Sequence, residues 1–230
     1  MVAQAAPHGA EELVFLFDVD NTLLDNDRVQ DDLRAELAHR FGAAARERYW
    51  AILEALREEL GYVDYLGALE RYRLERLHDP RVLRLSSWLV DYPFAARLYP
   101  GALEVLRRAR ERARTVILSD GDAVFQPRKV ERSGLWDAVH GQVLIYVHKE
   151  QMLADVERLY PARRYVMVDD KLRILAAMKA IWGPRLTTVF VRQGHYAADA
   201  AALAIYPPAD ASLARIGEFM HGDLARLTAG

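Results

Sequence analysis

Cysteine is absent from the 230 residues, so no disulfide, thiolate zinc site or thiol nucleophile belongs to this chain. A charge excess of either sign is also missing. Thirty-one Lys and Arg stand against 33 Asp and Glu, a net charge of −2, which excludes a broad electrostatic attraction to nucleic acid or anionic lipid. Any phosphate chemistry must therefore be local. No apolar run approaches the roughly 18 residues a membrane span needs. Met1 to Glu12 lack the basic start and apolar stretch of a secretory signal, so a cytoplasmic location is expected. Neither the phosphate-loop nor the dinucleotide glycine pattern occurs, which removes support for a nucleoside triphosphatase or a dehydrogenase. With 52% hydrophobic and 28% charged residues, the chain has the composition of a globular protein with room for one large domain, or a domain plus an insertion.

What is present is concentrated near the start, in Leu13 to Asp27. Leu13 to Phe17 form an uninterrupted apolar run that stops at Asp18, the pattern of a fully buried strand reaching the edge of its sheet. Asp18 and Asp20 follow two positions apart, which places both carboxylates on one face of extended chain. Two like charges so close are unfavourable unless a cation or a proton lies between them. A polar turn after a core strand would use the same residue types, so this pair alone decides nothing.

After Met1 to Glu12, read as a loose tail, residues 13–27 and 95–230 are expected to form an α/β core, and 28–94 a run of helices set between its first and second strands. Val29, Leu33, Leu37 and Phe41 recur at four-residue steps, and Trp50, Leu53, Leu56 and Leu60 continue the stripe after a break near Gly42. Beyond Pro100 and Gly101, short apolar strands alternate with helices. The strands are expected at Thr115 to Leu118, Gln142 to Val147, Tyr165 to Val168 and Leu186 to Val191, with a helix from Glu150 to Leu159 among those between them. The end of the chain, Ala211 to Leu227, is amphipathic at Leu213, Ile216, Phe219 and Leu224. Alternation of this kind predicts βαβ units and a parallel sheet, whose ligand site lies beyond the carboxyl ends of the strands. Four strands end in Asp18 and Asp20, in Ser119, at Lys149, and in Asp169 and Asp170. Singly, Ser119 reads as a turn or helix cap, Lys149 as a solvated helix start and Asp169-Asp170 as an N-cap pair; together they share one sheet edge.

In these residues the sequence resembles the haloacid dehalogenase-like hydrolases, whose four motifs fall on strand ends in this order. Asp18-Val-Asp-Asn-Thr22 looks like the first, Ser119 the second, Lys149 the third and Asp169-Asp170 the fourth. The resemblance implies a Rossmann-like parallel sheet flanked by helices, with 28–94 as an inserted all-α cap over the site. It further implies a Mg²⁺-dependent phosphatase acting on a small phosphorylated metabolite, with no nucleic-acid or membrane partner, as a monomer or homodimer. By the same resemblance Asp18 is nucleophile and metal ligand, Asp20 is acid–base and gives its backbone carbonyl to the metal, and Asp169 is a further ligand with Asp170 beside it. Ser119 and Lys149 meet the phosphate, and Thr22, Asp120 and Gly121 line its position. Phosphoryl transfer needs positioning and charge neutralisation above all, and converging carboxylates suit a hard cation such as Mg²⁺.

Three positions depart from the family pattern: Asp120 where Asn is common, Glu150 where Pro is common, and Arg173 where one form of the fourth motif has an acid. His148 neighbours Lys149. The insertion carries Tyr49, Trp50, Tyr62, Tyr65, Tyr72, Trp88, Tyr92 and Phe94, most expected in its core with one or two facing substrate; its arginines are candidates for a second anionic group. A 2-haloacid dehalogenase would share Asp18 but has no use for Asp20 as leaving-group acid or for the Asp169-Asp170 pair. A phosphomutase would pass the phosphoryl group to a sugar hydroxyl. A phospho-acceptor signalling domain would place the acidic pair before the acceptor and needs no cap. A non-catalytic descendant would retain the fold alone.

Overall fold

A computed structural model describes residues 10–220. Among them, six strands form one sheet in the order β3-β2-β1-β4-β5-β6 with every pairing parallel. In chain order the strands are β1 (Glu11–Phe17), β2 (Arg114–Asp120), β3 (Val143–Tyr146), β4 (Ala162–Asp169), β5 (Leu186–Val191) and β6 (Ala211–Leu213). β1 is covered on both faces, and its side chains alternate between two cores. Val14 and Leu16 join Val116, Leu118, Met167, Ile174 and Met178 on one side. Phe15 and Phe17 join Ile117, Val166, Val168 and Phe219 on the other. Phe17 is opposite both Ile117 and Val168. The residues that follow those three therefore emerge together at the carboxyl edge.

Between β1 and β2 lie α1 (Asn26–Phe41), α2 (Ala43–Leu60), α3 (Tyr65–Leu74) and α4 (Pro80–Val90), then a 3-10 turn at Phe94–Arg97. Asp25, Asp64 and Asp79 cap α1, α3 and α4 by accepting backbone N–H groups of Arg28, Gly67 and Arg81. Gly61 closes α2 in the left-handed conformation. The apolar stripes converge, burying Leu33, Leu37, Tyr49, Leu53, Tyr72 and Leu85. Their core is continuous with that of the sheet through Phe125, whose ring centroid lies 5.1 Å from Tyr65 and 5.6 Å from Phe94. The sheet is completed by α5 (Ala102–Arg110), α6 (Phe125–Arg132), α7 (Leu135–Ala138), α8 (Leu153–Leu159) and α9 (Leu172–Trp182), with α10 (Gly194–Ala198) and α11 (Ala200–Ile205) between β5 and β6.

Several expected boundaries shift. Glu11 and Glu12 already belong to β1, because β4 starts early enough to pair Ala162 with Glu11; Met1 to Gly9 lie outside the described residues. The helix expected from Glu150 begins as a 3-10 turn at Lys149–Gln151, and α8 follows from Leu153. The amphipathic end is not one continuous element. Ala211–Leu213 adds an edge strand, and Ile216–Met220 makes a 3-10 turn. The three-residue spacing of Leu213, Ile216 and Phe219 suits a 3-10 turn as well as an α-helix. Phe219 packs edge-on against Phe15 and Phe17 at 6.0 and 5.4 Å, while Leu224 lies outside the described residues.

Candidate active site

Asp18 leaves β1 with its backbone N–H bonded to Val168 (3.0 Å), level with Asp169 at the end of β4. Its side chain is almost wholly buried. Oδ1 accepts from Lys149 Nζ at 2.5 Å, and Oδ2 from the Thr22 hydroxyl at 3.2 Å. The Lys149 ammonium also lies 2.7 Å from Asp169 Oδ2 and 3.3 Å from the Leu118 carbonyl. Burial opposes its charge, but Asp169, Asp18 and Asp120 outweigh burial and hold its pKa above the ordinary lysine value.

Asp20 points elsewhere. Both of its oxygens accept from Lys129 Nζ, at 2.7 and 2.9 Å, and the same ammonium donates to Asn26 Oδ1 at 3.0 Å. Lys129 is completely buried on α6, and Asn26 opens α1 of the insertion. Sequence reading missed Lys129. A signal was there: the buried face of α6 consists of Phe125, Gln126, Lys129 and Val130, an apolar stripe interrupted by an amide and an ammonium. Gln126 Nε2 donates to Ser119 Oγ at 3.0 Å. A Cβ on Gly121 would stand 2.6 Å from Gln126 Cβ, so only glycine lets that helix approach.

Asp120 lines the cavity, and its carboxylate also has a structural task. Its Oδ1 accepts the Lys149 backbone N–H at 2.7 Å and fixes the loop that delivers the lysine; burial pushes its carboxyl above the usual range, against the pull of Lys149. The other two departures from the family pattern are each other's partners: Arg173 Nη1 lies 2.8 Å from Glu150 Oε1.

Asp18, Asp169 and Asp170 form a buried carboxylate cluster whose ligand atoms lie within 4.8 Å of one another. Both Asp170 oxygens are buried without a hydrogen-bond partner, which is unfavourable for a carboxylate. Burial pushes the Asp169 carboxyl up to about 6. Burial also drives that of Asp170 well up, with Asp169 and Asp18 adding to the effect against Lys171. Asp18, Asp120, Asp169 and Asp170 face the two ammoniums of Lys149 and Lys171, leaving a formal excess of two negative charges. A divalent cation fits both the donors and the charge. The Asp20 carboxylate lies outside this cluster, on Lys129.

Above the cluster is a cavity of about 360 Å³ between the sheet edge and the insertion, reached by Asp20, Asp120, Gly121, Lys129, Asp170 and Lys171 from below. Tyr62 and Tyr65 line it from the insertion, and Arg57 is the one arginine of residues 28–94 that does so. The segment after β5, unassigned in the sequence, supplies His195 and Tyr196 from α10. It is tied to the first motif: Asp27 accepts from the His195 backbone N–H at 2.8 Å, and its carboxylate meets His195 Nδ1 at 2.6 Å. Gln193 donates to the carbonyls of Asn21 (3.3 Å) and Thr22 (3.1 Å) and accepts the Ile216 N–H at 2.6 Å. A Cβ on Gly194 would stand 2.5 Å from the Asn21 side chain.

This arrangement defines a class, the Rossmann-like α/β folds with aspartates at the end of the central parallel strand. Within it, the chain belongs to the haloacid dehalogenase-like hydrolases, whose description matches residues 13–181. Among solved structures, a haloacid dehalogenase-like hydrolase from Burkholderia xenovorans LB400 is 64% identical with a TM-score of 0.88, over 93% of this chain and 99% of that one. A haloacid dehalogenase-like family hydrolase from Xanthomonas campestris is 19% identical (TM-score 0.64), over 96% of this chain and 98% of that one. The L-2-haloacid dehalogenase of Xanthobacter autotrophicus is 18% identical (TM-score 0.59), over 93% and 98% respectively. The last two share the fold. No curated protein matches the chain. Among the described residues no helix is long and apolar enough to cross a membrane.

Proposed function

We propose that the protein is a Mg²⁺-dependent hydrolase of small phosphomonoesters that works through an aspartyl phosphate. The observation that carries this reading is the buried cluster of Asp18, Asp169 and Asp170 with both Asp170 oxygens unpartnered. Displacement of halide from carbon has no use for three such carboxylates, whereas phosphoryl transfer uses the cation they would hold. Bound there by Asp18, Asp169 and Asp170, Mg²⁺ would neutralise charge on the transferred group.

The chain's own residues supply the rest. The Asp18 carboxylate, aimed by Lys149 and Thr22, attacks phosphorus. The bond from phosphorus to the leaving oxygen breaks, and that oxygen takes the electron pair and a proton from Asp20. Water then attacks the aspartyl phosphate, Asp20 takes its proton, and Asp18 is regenerated as phosphate leaves. Ser119 accepts from Gln126 and donates to the Asp120 carbonyl at 3.4 Å, a long bond that its O–H exchanges for a phosphoryl oxygen. The insertion acts as a cap that excludes water from the cavity, and Tyr62 and Tyr65 face the leaving group.

The test measures phosphate release from p-nitrophenyl phosphate with Mg²⁺ and with EDTA, beside halide release from 2-chloropropionate. Magnesium-dependent phosphate release with no halide is expected. Halide release that survives EDTA, without phosphatase activity, would replace this reading with dehalogenation.

A further inference from the structure

Three lysines converge on the site, and they are not equivalent. An ammonium has three N–H groups. Lys149 donates to Asp18 and to the Leu118 carbonyl and forms an ion pair with Asp169 at 2.7 Å. The N–H groups of Lys129 are matched by the two Asp20 oxygens and Asn26. Lys129 has no donor left for a ligand, and Lys149 is occupied by the two carboxylates that flank it. Lys171 follows Asp170 directly and lines the same cavity. Its backbone N–H is held by Asp169 Oδ1 at 2.8 Å, which fixes where its side chain starts. The ammonium lies 4.9 Å from the centroid of the Tyr196 ring, a contact that orients it without using a lone-pair acceptor. Among the described residues no hydrogen-bond acceptor engages it, although the charges of Asp170 and Asp18 act on it. Tyr196 is itself held by the insertion, because Arg57 Nη2 donates to its hydroxyl at 2.9 Å.

We propose that Lys171 is the residue that grips the transferred phosphoryl group, its three unmatched N–H donors meeting phosphoryl oxygens above Asp18 while Lys149 remains occupied with the carboxylates. This rests on the phosphatase reading given above. It divides between two residues a task that one lysine in the third motif would otherwise perform alone. Lys149 holds the nucleophile and Lys171 holds what the nucleophile attacks. Lys171 was invisible in the sequence because a cation next to an acidic pair reads as a local salt bridge.

The experiment titrates inorganic phosphate into the full-length protein with Mg²⁺ present, by calorimetry, for wild type, Lys171→Met, Lys171→Gln and Lys171→Arg. Thermal melts verify the fold, and Mg²⁺ affinity is measured separately by tryptophan fluorescence. Loss of charge-assisted hydrogen bonds should weaken phosphate binding about 10- to 100-fold in Lys171→Met and Lys171→Gln. Lys171→Arg should recover most of it. Phosphate binding within twofold of wild type in whichever neutral variant folds would overturn the proposal. So would a gain in Mg²⁺ affinity with phosphate binding unchanged, since Lys171 would then serve only to offset the carboxylates. If wild type neither binds phosphate nor releases it from p-nitrophenyl phosphate, the phosphatase reading fails and this inference with it. If wild type does both, a silent Lys171 overturns this inference alone.

Discussion

The two acids that end the central strand stand two residues apart and occupy opposite situations. Asp18 and its lysine are sealed, with side-chain exposures of 5% and 2%, and Lys149 reaches Asp18 from another strand end of the sheet. Asp20 keeps 26% of its side chain exposed, while its partner Lys129 keeps 1%. That second ammonium comes from α6 and is shared with Asn26 at the start of the insertion. Like charges that would repel if left to face each other are separated by giving each its own counter-ion on a different wall. The difference teaches how one short motif divides labour. The dry carboxylate is held still beside Asp169 and Asp170, as the proposed nucleophile requires; the wetter one lines the cavity, as the proposed acid and base requires.

The sharpest way to break this comparison is to remove the dry acid. Asp18→Asn should lower phosphate release about 10⁴-fold or more, because no other group can carry the phosphoryl, while its melting curve stays cooperative. Removing the wetter acid should leave more behind: Asp20→Asn is expected to lose about 10²- to 10⁴-fold in turnover. In burst kinetics this variant should still form the aspartyl phosphate from a substrate with a good leaving group. Equal loss for good and poor leaving groups would deny Asp20 the role of acid.

The lysines extend the contrast to stability. Lys149→Met strands Asp18 and Asp169 in a dry site, and urea unfolding of the metal-free protein should show a loss of about 3–5 kcal/mol. Lys129→Met unpairs a carboxylate that solvent reaches, so about 1–3 kcal/mol is expected, with turnover falling more than phosphate affinity. Smaller again is the effect of Asp27. Burial alone would raise its pKa, but hydrogen bonds from His195 and Asn21 outweigh burial and hold it below the usual value. Its contribution to stability is therefore present above about pH 4 and lost as the pH falls through the lower folded value. Asp27→Asn should flatten the acid limb of the stability curve by about 1 kcal/mol or less.

The parallel sheet, the helical insertion and the strand-end residues were legible because each depends on local pattern: apolar runs stopping at acids, and four-residue stripes stopping at caps. What escaped was pairing across distance. Glu150 and Arg173 look like two separate faults in the motifs, yet together they form one ion pair. Lys129 lies in a helix whose charged residues otherwise read as solvated, and its partners Asp20 and Asn26 come from more than a hundred residues earlier in the chain. Asp120 lines the cavity as its position after Ser119 suggests, but its bond to the Lys149 backbone N–H, 29 residues away, had no sequence signal. The short edge strand Ala211–Leu213 has too few residues to show any period, and pairing with β5 alone makes it a strand.

Gln193 carries a consequence for the order in which the protein becomes functional. Its side chain binds the carbonyls of Asn21 and Thr22 with one end and the Ile216 N–H with the other. Strands β2 to β6 all lie between Thr22 and Ile216 in the chain, so the bracket around that loop cannot close until they have been made. Any cut upstream of Ile216 should leave a folded but loosened first motif. A loop made before those strands is set only after them.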